Sequence, residues 1–175
     1  MRVPIALFFL LLPVAVAHGC GGNSSLQSGT YRGNGVRYRI GPLASTWRRV
    51  DINTPEQNDL AFSNEALDAL VQVNSSCSPE LDLPLPALTN HLLIGFTDRN
   101  VHQEGTLSLD GREALRTHVT AKLDGVLREL LFYVLKKNGC VYDFALVSRP
   151  GTSFERASVD FEALVRGFHT QEAAP

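Results

Sequence analysis

Three Asx-Gly dipeptides punctuate the second half of the chain, at Asp110-Gly111, Asp124-Gly125 and Asn138-Gly139, each set between β-prone apolar runs. Asx-Gly readily supplies the positive φ angles at both central positions of a type I′ turn, which joins adjacent antiparallel strands through two residues. Read that way, the turns fix the register. Leu109 falls opposite Arg112, Leu123 opposite Val126, and Lys137 opposite Cys140. A four-stranded meander follows, over residues 101–109, 112–123, 126–137 and 140–148.

That register sorts the side chains onto two faces. One carries Leu115, Val119, Leu123, Val126, Leu130, Phe132 and Val134, joined by Ala145 and Val147. The other carries Leu131, Tyr133 and Leu135 opposite Leu146, Phe144 and Tyr142, with Cys140 at its edge. Both are too apolar to face water, so the sheet must be covered on both sides. Two helices can cover it. Residues 86–97 place Leu88, Leu92 and Phe96 at helical spacing behind Pro86. Residues 153–168 repeat Phe154, Ala157, Phe161, Leu164, Val165 and Phe168, with Thr152 and Glu155 in capping-box positions and Ser158 placed to restart the helix after a kink. The fold class is α+β, an antiparallel meander with helices on both faces.

Upstream, residues 31–40 read as a strand ending at Gly41-Pro42, with Gly33-Asn34-Gly35 a turn or bulge beside it. Segments 47–52, 59–62 and 66–74 are further short strands. Residues 78–86, with Pro79, Pro84 and Pro86, link into the first helix. Residues 31–169 form one domain, and 170–175 a disordered tail.

The amino terminus differs in kind. Arg2 precedes an apolar run through Ala17, with Phe8, Phe9, Leu10, Leu11 and Leu12 at its centre. The run is shorter than the roughly 20 residues a membrane span needs, and it reads as a signal peptide over 1–19. Gly19 before Cys20 fits a lipidation site, which would make Cys20 the lipid-bearing first residue and membrane anchor. Ordinary cleavage at the Ala15-Val16-Ala17 small-x-small site is the alternative, and either route exports the chain. Residues 20–30, rich in Gly and Ser, read as a flexible tether. Of the 3 cysteines, Cys77 and Cys140 then remain to pair, and disulfides persist in exported proteins. The alternative for those two is a pair of buried free thiols.

Charge excludes one class of partner. With 16 Lys+Arg against 18 Asp+Glu, the net charge of −2 offers no field for gripping a phosphate backbone, so no nucleic acid is expected. No P-loop, nucleophile elbow or dinucleotide fingerprint occurs, and His91, His102, His118 and His169 stand without zinc spacing. No cofactor and no metal are expected. Glu113 and Glu129 sit among Arg112, Arg116 and Arg128 and read as solvated pairs.

Several stretches together carry a resemblance. These are Gly41-Pro42-Leu43, Trp47-Arg48-Arg49-Val50, the strand end from Asn74 to Cys77, Leu88-Thr89-Asn90-His91-Leu92-Leu93-Ile94-Gly95-Phe96, Leu109-Asp110-Gly111-Arg112-Glu113-Ala114 and Asn138-Gly139-Cys140-Val141-Tyr142-Asp143. Over residues 36–168 the chain resembles small uncharacterised lipoproteins of Gram-negative bacteria, whose domain is similar to the Mog1/PsbP-like α/β/α sandwich. The resemblance implies an antiparallel sheet between helices. It also implies a non-enzymatic accessory or binding role, docking on a larger envelope assembly, with no catalytic residue to carry over.

Three functions follow in order. The first is a lipid-anchored, non-catalytic accessory subunit of the bacterial envelope, on the outer membrane because Gly21 rather than Asp follows Cys20. The second is a periplasmic small-ligand or lipid carrier, with a pocket beside the aromatic face of Tyr133, Tyr142 and Phe144. The third is an enzyme built on Cys140, with His118 or His91 as its base.

Overall fold

The computed structural model describes residues 25–33, 35–50 and 59–171. Residues 1–24, which hold the leader and Cys20, lie outside the described residues, as do Asn34, 51–58 and 172–175.

The meander forms as the turns dictate. Strands β7 (Phe96–Leu109), β8 (Arg112–Leu123), β9 (Val126–Lys137) and β10 (Cys140–Ser148) run antiparallel. Leu109 pairs with Arg112, Leu123 with Val126 and Lys137 with Cys140. Asp110, Asp124 and Asn138, each followed by glycine, all take positive φ.

Strands β4 (Arg48–Arg49), β5 (Leu60–Asn64) and β6 (Ala69–Ser76) extend the same sheet, in the order β4-β5-β6-β10-β9-β8-β7. Helix α1 (Leu85–Leu92) covers one face and α2 (Thr152–Arg166) the other. Against α1 lie Val119, Leu130, Phe132, Val134, Val141 and Ala145. Against α2 lie Leu131, Tyr133, Leu135, Tyr142, Phe144 and Leu146, closed from the helix side by Phe154, Phe161, Leu164 and Phe168. The division of faces agrees with the register read from the turns.

A second sheet was not foreseen. The stretch 31–40 splits into β2 (Thr30–Gly33) and β3 (Val36–Arg39), and with β1 (Ser25–Gln27) and β11 (His169–Thr170) they make a small antiparallel sheet, ordered β1-β2-β3-β11. Its Tyr31 and Tyr38 pack beside α2, with Tyr38 against Tyr142 and Phe168. Two boundaries move in consequence. Residues 25–30, expected in the tether, are already in the fold, because Ser28 and Gly29 turn with positive φ and Leu26 packs on the core. Thr170, expected in a free tail, is held in β11, and the Gln171 amide donates to the Arg37 carbonyl at 2.8 Å.

Both helices differ in detail from expectation. The first ends at Leu92, because Gly95 turns the chain at positive φ and Phe96 joins β7 opposite Leu123. Helical spacing of Phe96 loses to sheet pairing. The second is capped by Gly151, with Thr152 inside the first turn and no side-chain cap, so the capping box does not form. The Gly151 amide donates instead to Glu129 Oε2 at 3.0 Å. The helix is continuous through Ser158, whose hydroxyl donates to the Glu155 carbonyl.

Candidate binding site beneath the first helix

Strand β10 reads Val-Tyr-Asp-Phe-Ala-Leu-Val from Val141, and its lone carboxylate interrupts an apolar run. Alternation places Asp143 on the α1 face, paired with Val134 of β9 and Asn74 of β6. Helix α1 and the 3₁₀ turn Pro79–Leu81 do not close completely over this end of the sheet. They leave a cavity of about 470 Å³ in which Asp143 and Asn74 face the apolar Leu88, Leu92, Val134 and Val141. Glu80 and His91 stand among the polar lining.

Asn74 Nδ2 donates to Asp143 Oδ1 at 2.6 Å, while Asn74 Oδ1 is buried without a hydrogen-bond partner. Burial pushes the Asp143 carboxyl up to about 6. The Asn74 hydrogen bond pulls it down, and the charge of Asp59 pushes it up again. Such a carboxyl changes charge in a mildly acidic range, where most aspartates are already ionised.

Asp59 sits at the same end of the sheet and accepts from the hydroxyls of Tyr31 at 2.9 Å, Tyr38 at 3.0 Å and Ser75. Burial, then the neighbouring Asp59, drives the Tyr38 hydroxyl far above its ordinary range, so it remains a donor. This knot ties the small sheet to β6.

Next to the cavity, Cys77 and Cys140 form a disulfide with Cα atoms 4.0 Å apart. The bond directly extends the β6–β10 ladder, where Ser76 pairs with Val141. It borders a second cavity of about 550 Å³, whose rim carries Arg112, Lys136 and Lys137. Lys136 is paired with Asp82 at 2.8 Å and Lys137 with Asp110 at 2.7 Å. Cys140 is therefore bonded sulfur, joined to neither His118 nor His91.

The other sequence candidates are dispersed. Tyr133, Tyr142 and Phe144 are core residues, with Phe161 and Phe168 packed against their rings, so the expected ligand face is filled by α2. His102 and His118 meet at 4.9 Å between ring centroids, and His118 also stacks on Phe154. Glu129 is no solvated pair of Arg128: it lies 2.8 Å from His118 Nε2 and accepts from Gly151, while Arg128 pairs with Asp68. Glu113 is exposed, and His169 sits beside Asp110. No group of three or more His, Cys, Asp or Glu side chains is arranged for a metal among the described residues.

Asp143, Asn74 and Asp59 were missed by sequence reasoning. The signal for Asp143 was present, because the Asn138-Gly139 register already set it opposite Val134 on an apolar face. Asp59 carries no such signal, since its partners come from strands far away in the chain.

No family model matches the chain, and no curated protein does. Solved structures share its fold. Cyanobacterial PsbP (CyanoP) from Synechocystis is 17% identical, with a TM-score of 0.54 over 91% of this chain and 99% of its own. A protein from Bacteroides thetaiotaomicron is 6% identical, with a TM-score of 0.52 over 77% of this chain and 45% of its own. LpqN of Mycobacterium tuberculosis, described as involved in cell envelope biogenesis, is 12% identical at a TM-score of 0.47, covering 80% of this chain and 87% of its own, a likeness too slight to argue from. The sheet, its two helices and the match to CyanoP define a PsbP-like α+β fold.

Proposed function

We propose that this chain is an exported lipoprotein, held on the bacterial envelope by lipid on Cys20, whose domain serves as a non-catalytic binding or accessory subunit. One observation carries the reading: the Cys77–Cys140 disulfide, behind an apolar leader that ends at a third cysteine. A cross-strand bond of this kind persists where glutathione does not reduce it, which supports export. Cys20 is then the one cysteine left for acylation. Several acyl chains at about 0.8 kcal/mol per buried CH₂ give an anchor without a spanning helix. Among the described residues no helix is long and apolar enough to cross a membrane. Gly21 after the cysteine favours the outer membrane, facing the periplasm. An envelope protein is the proposed partner.

Membrane fractionation of the native host, with wild type beside Cys20→Ala, tests the anchor. Wild type is expected in the membrane pellet after a high-salt wash, and Cys20→Ala in the wash or supernatant. Retention of Cys20→Ala in the washed pellet would refute anchoring through that sulfur.

A further inference from the structure

The cavity beneath α1 is built to receive a particular chemistry. Its polar end presents acceptors, the Asp143 carboxylate and, behind it, the unpartnered Asn74 Oδ1, with the Glu80 carboxylate on the wall. Its apolar side is aliphatic, from Leu88, Leu92, Val134 and Val141. The charges facing Asp143 are few. Glu80 comes from the 3₁₀ turn, His91 from α1, and Asp59 acts across the sheet. Lys136, further along β9, is held by Asp82. An anionic ligand would meet the carboxylates of Asp143 and Glu80, and a ligand without donors would leave the acceptors unsatisfied.

We propose that this cavity binds an organic ammonium ligand, an aliphatic body lying against Leu88, Leu92, Val134 and Val141 with its cationic nitrogen donating to Asp143. The site lies on the opposite sheet face from the aromatic residues Tyr133, Tyr142 and Phe144, and it is independent of how the chain is anchored. Asn74 positions the carboxylate through its Nδ2 hydrogen bond. Its Oδ1 offers a further acceptor once a donor enters. Binding of a cation ionises Asp143, so ligand and proton compete for one carboxyl.

Hexylammonium is the probe, with 1-hexanol and hexanoate as controls, read by NMR of the Asp143 side-chain carboxyl carbon during a pH titration. Saturating hexylammonium is expected to move the carboxyl midpoint down by at least one pH unit. Hexylammonium should bind about tenfold more tightly at pH 7.5 than at pH 5, and still do so in His91→Ala, which removes the imidazole from the cavity wall. Asp143→Asn, checked for folding by circular dichroism, is expected to lose at least tenfold in hexylammonium affinity, and to lose much less in 1-hexanol affinity. An Asp143 midpoint that does not move with hexylammonium overturns the proposal, as does 1-hexanol or hexanoate binding as tightly as the amine. The wild-type titration decides the matter even where a variant folds poorly.

Discussion

Replacing Asp143 by Asn should stabilise this protein near neutral pH and not in acid. A carboxyl held at about 6 rather than its ordinary 3.8 costs the folded state roughly 3 kcal/mol at any pH above both values. The sign follows from proton counting. Between pH 4 and 6 the unfolded chain has released this proton and the folded chain has kept it, so stability falls as pH rises. Below pH 4 both states are protonated and nothing is lost. The Asp143→Asn variant would escape that loss. The bond from Asn74, 2.6 Å long to the carboxylate, is already contained in the value of about 6, so exchanging it for a neutral bond subtracts nothing further from the pH-dependent gain. The net expectation is a gain of about 2 to 3 kcal/mol at pH 7.5 and a difference near zero, or slightly negative, at pH 3.5. Urea unfolding at half-unit pH steps measures it, with a midpoint shift of roughly 1 M at pH 7.5. Other carboxylates titrate in both proteins and cancel in the difference. Two curves that run parallel from pH 4 to pH 8 would refute the reasoning, because Asp143 would then ionise at the same pH folded and unfolded.

Three further perturbations have definite outcomes. Cys77 and Cys140 close a loop of 63 residues, so reduction, Cys77→Ala or the double variant should each cost about 4 kcal/mol in chain entropy; equal losses in urea unfolding support the bond, and additive losses from the single variants contradict it. Asp110→Asn should cost on the order of 1 to 2 kcal/mol, discounted for the exposed His169. Burial raises that carboxyl, but Lys137, both donors of Thr170 and His169 outweigh it and hold it at about 2. Its contribution is present above pH 4 and lost as pH falls towards 2, so wild type and Asp110→Asn should converge in acid unfolding monitored by circular dichroism. Gly167→Ala should cost more than about 3 kcal/mol, since a Cβ there would fall on the backbone of Gly41, whose own Cβ position is filled by the Ala163 carbonyl; thermal melting reports it, and a shift of only a degree or two would show that the backbone yields.

What was legible in the sequence was whatever local chemistry determines. Asp110-Gly111, Asp124-Gly125 and Asn138-Gly139 carry their turn geometry with them, and once the turns are placed, alternation sorts Leu131 from Leu130 without further information. Gly33, Asn34 and Gly35 gave a weaker signal, and the hairpin from Thr30 to Arg39 was read as one strand. The extent of β7 could not be read either. Its residues from Thr97 to Ser108 are exposed, so no apolar period marks them, and only pairing with β8 holds them extended. The close approach of Gly41 to Gly167 joins positions more than a hundred residues apart and leaves no local trace. The same is true of Asp59, whose donors Tyr31, Tyr38 and Ser75 come from three different strands. Asp143 was within reach, yet in a strand of hydrophobes a single carboxylate draws less notice than the aromatic rings beside it.

Intact mass spectrometry of the protein taken from native membranes, before any reduction, bears on anchor and disulfide together. The expected species begins at Cys20, carries acyl chains on that residue, and gains two hydrogens only after a reductant is added. A chain that retains its first nineteen residues, carries no lipid and has three free thiols would contradict both the export and the anchoring proposed for it.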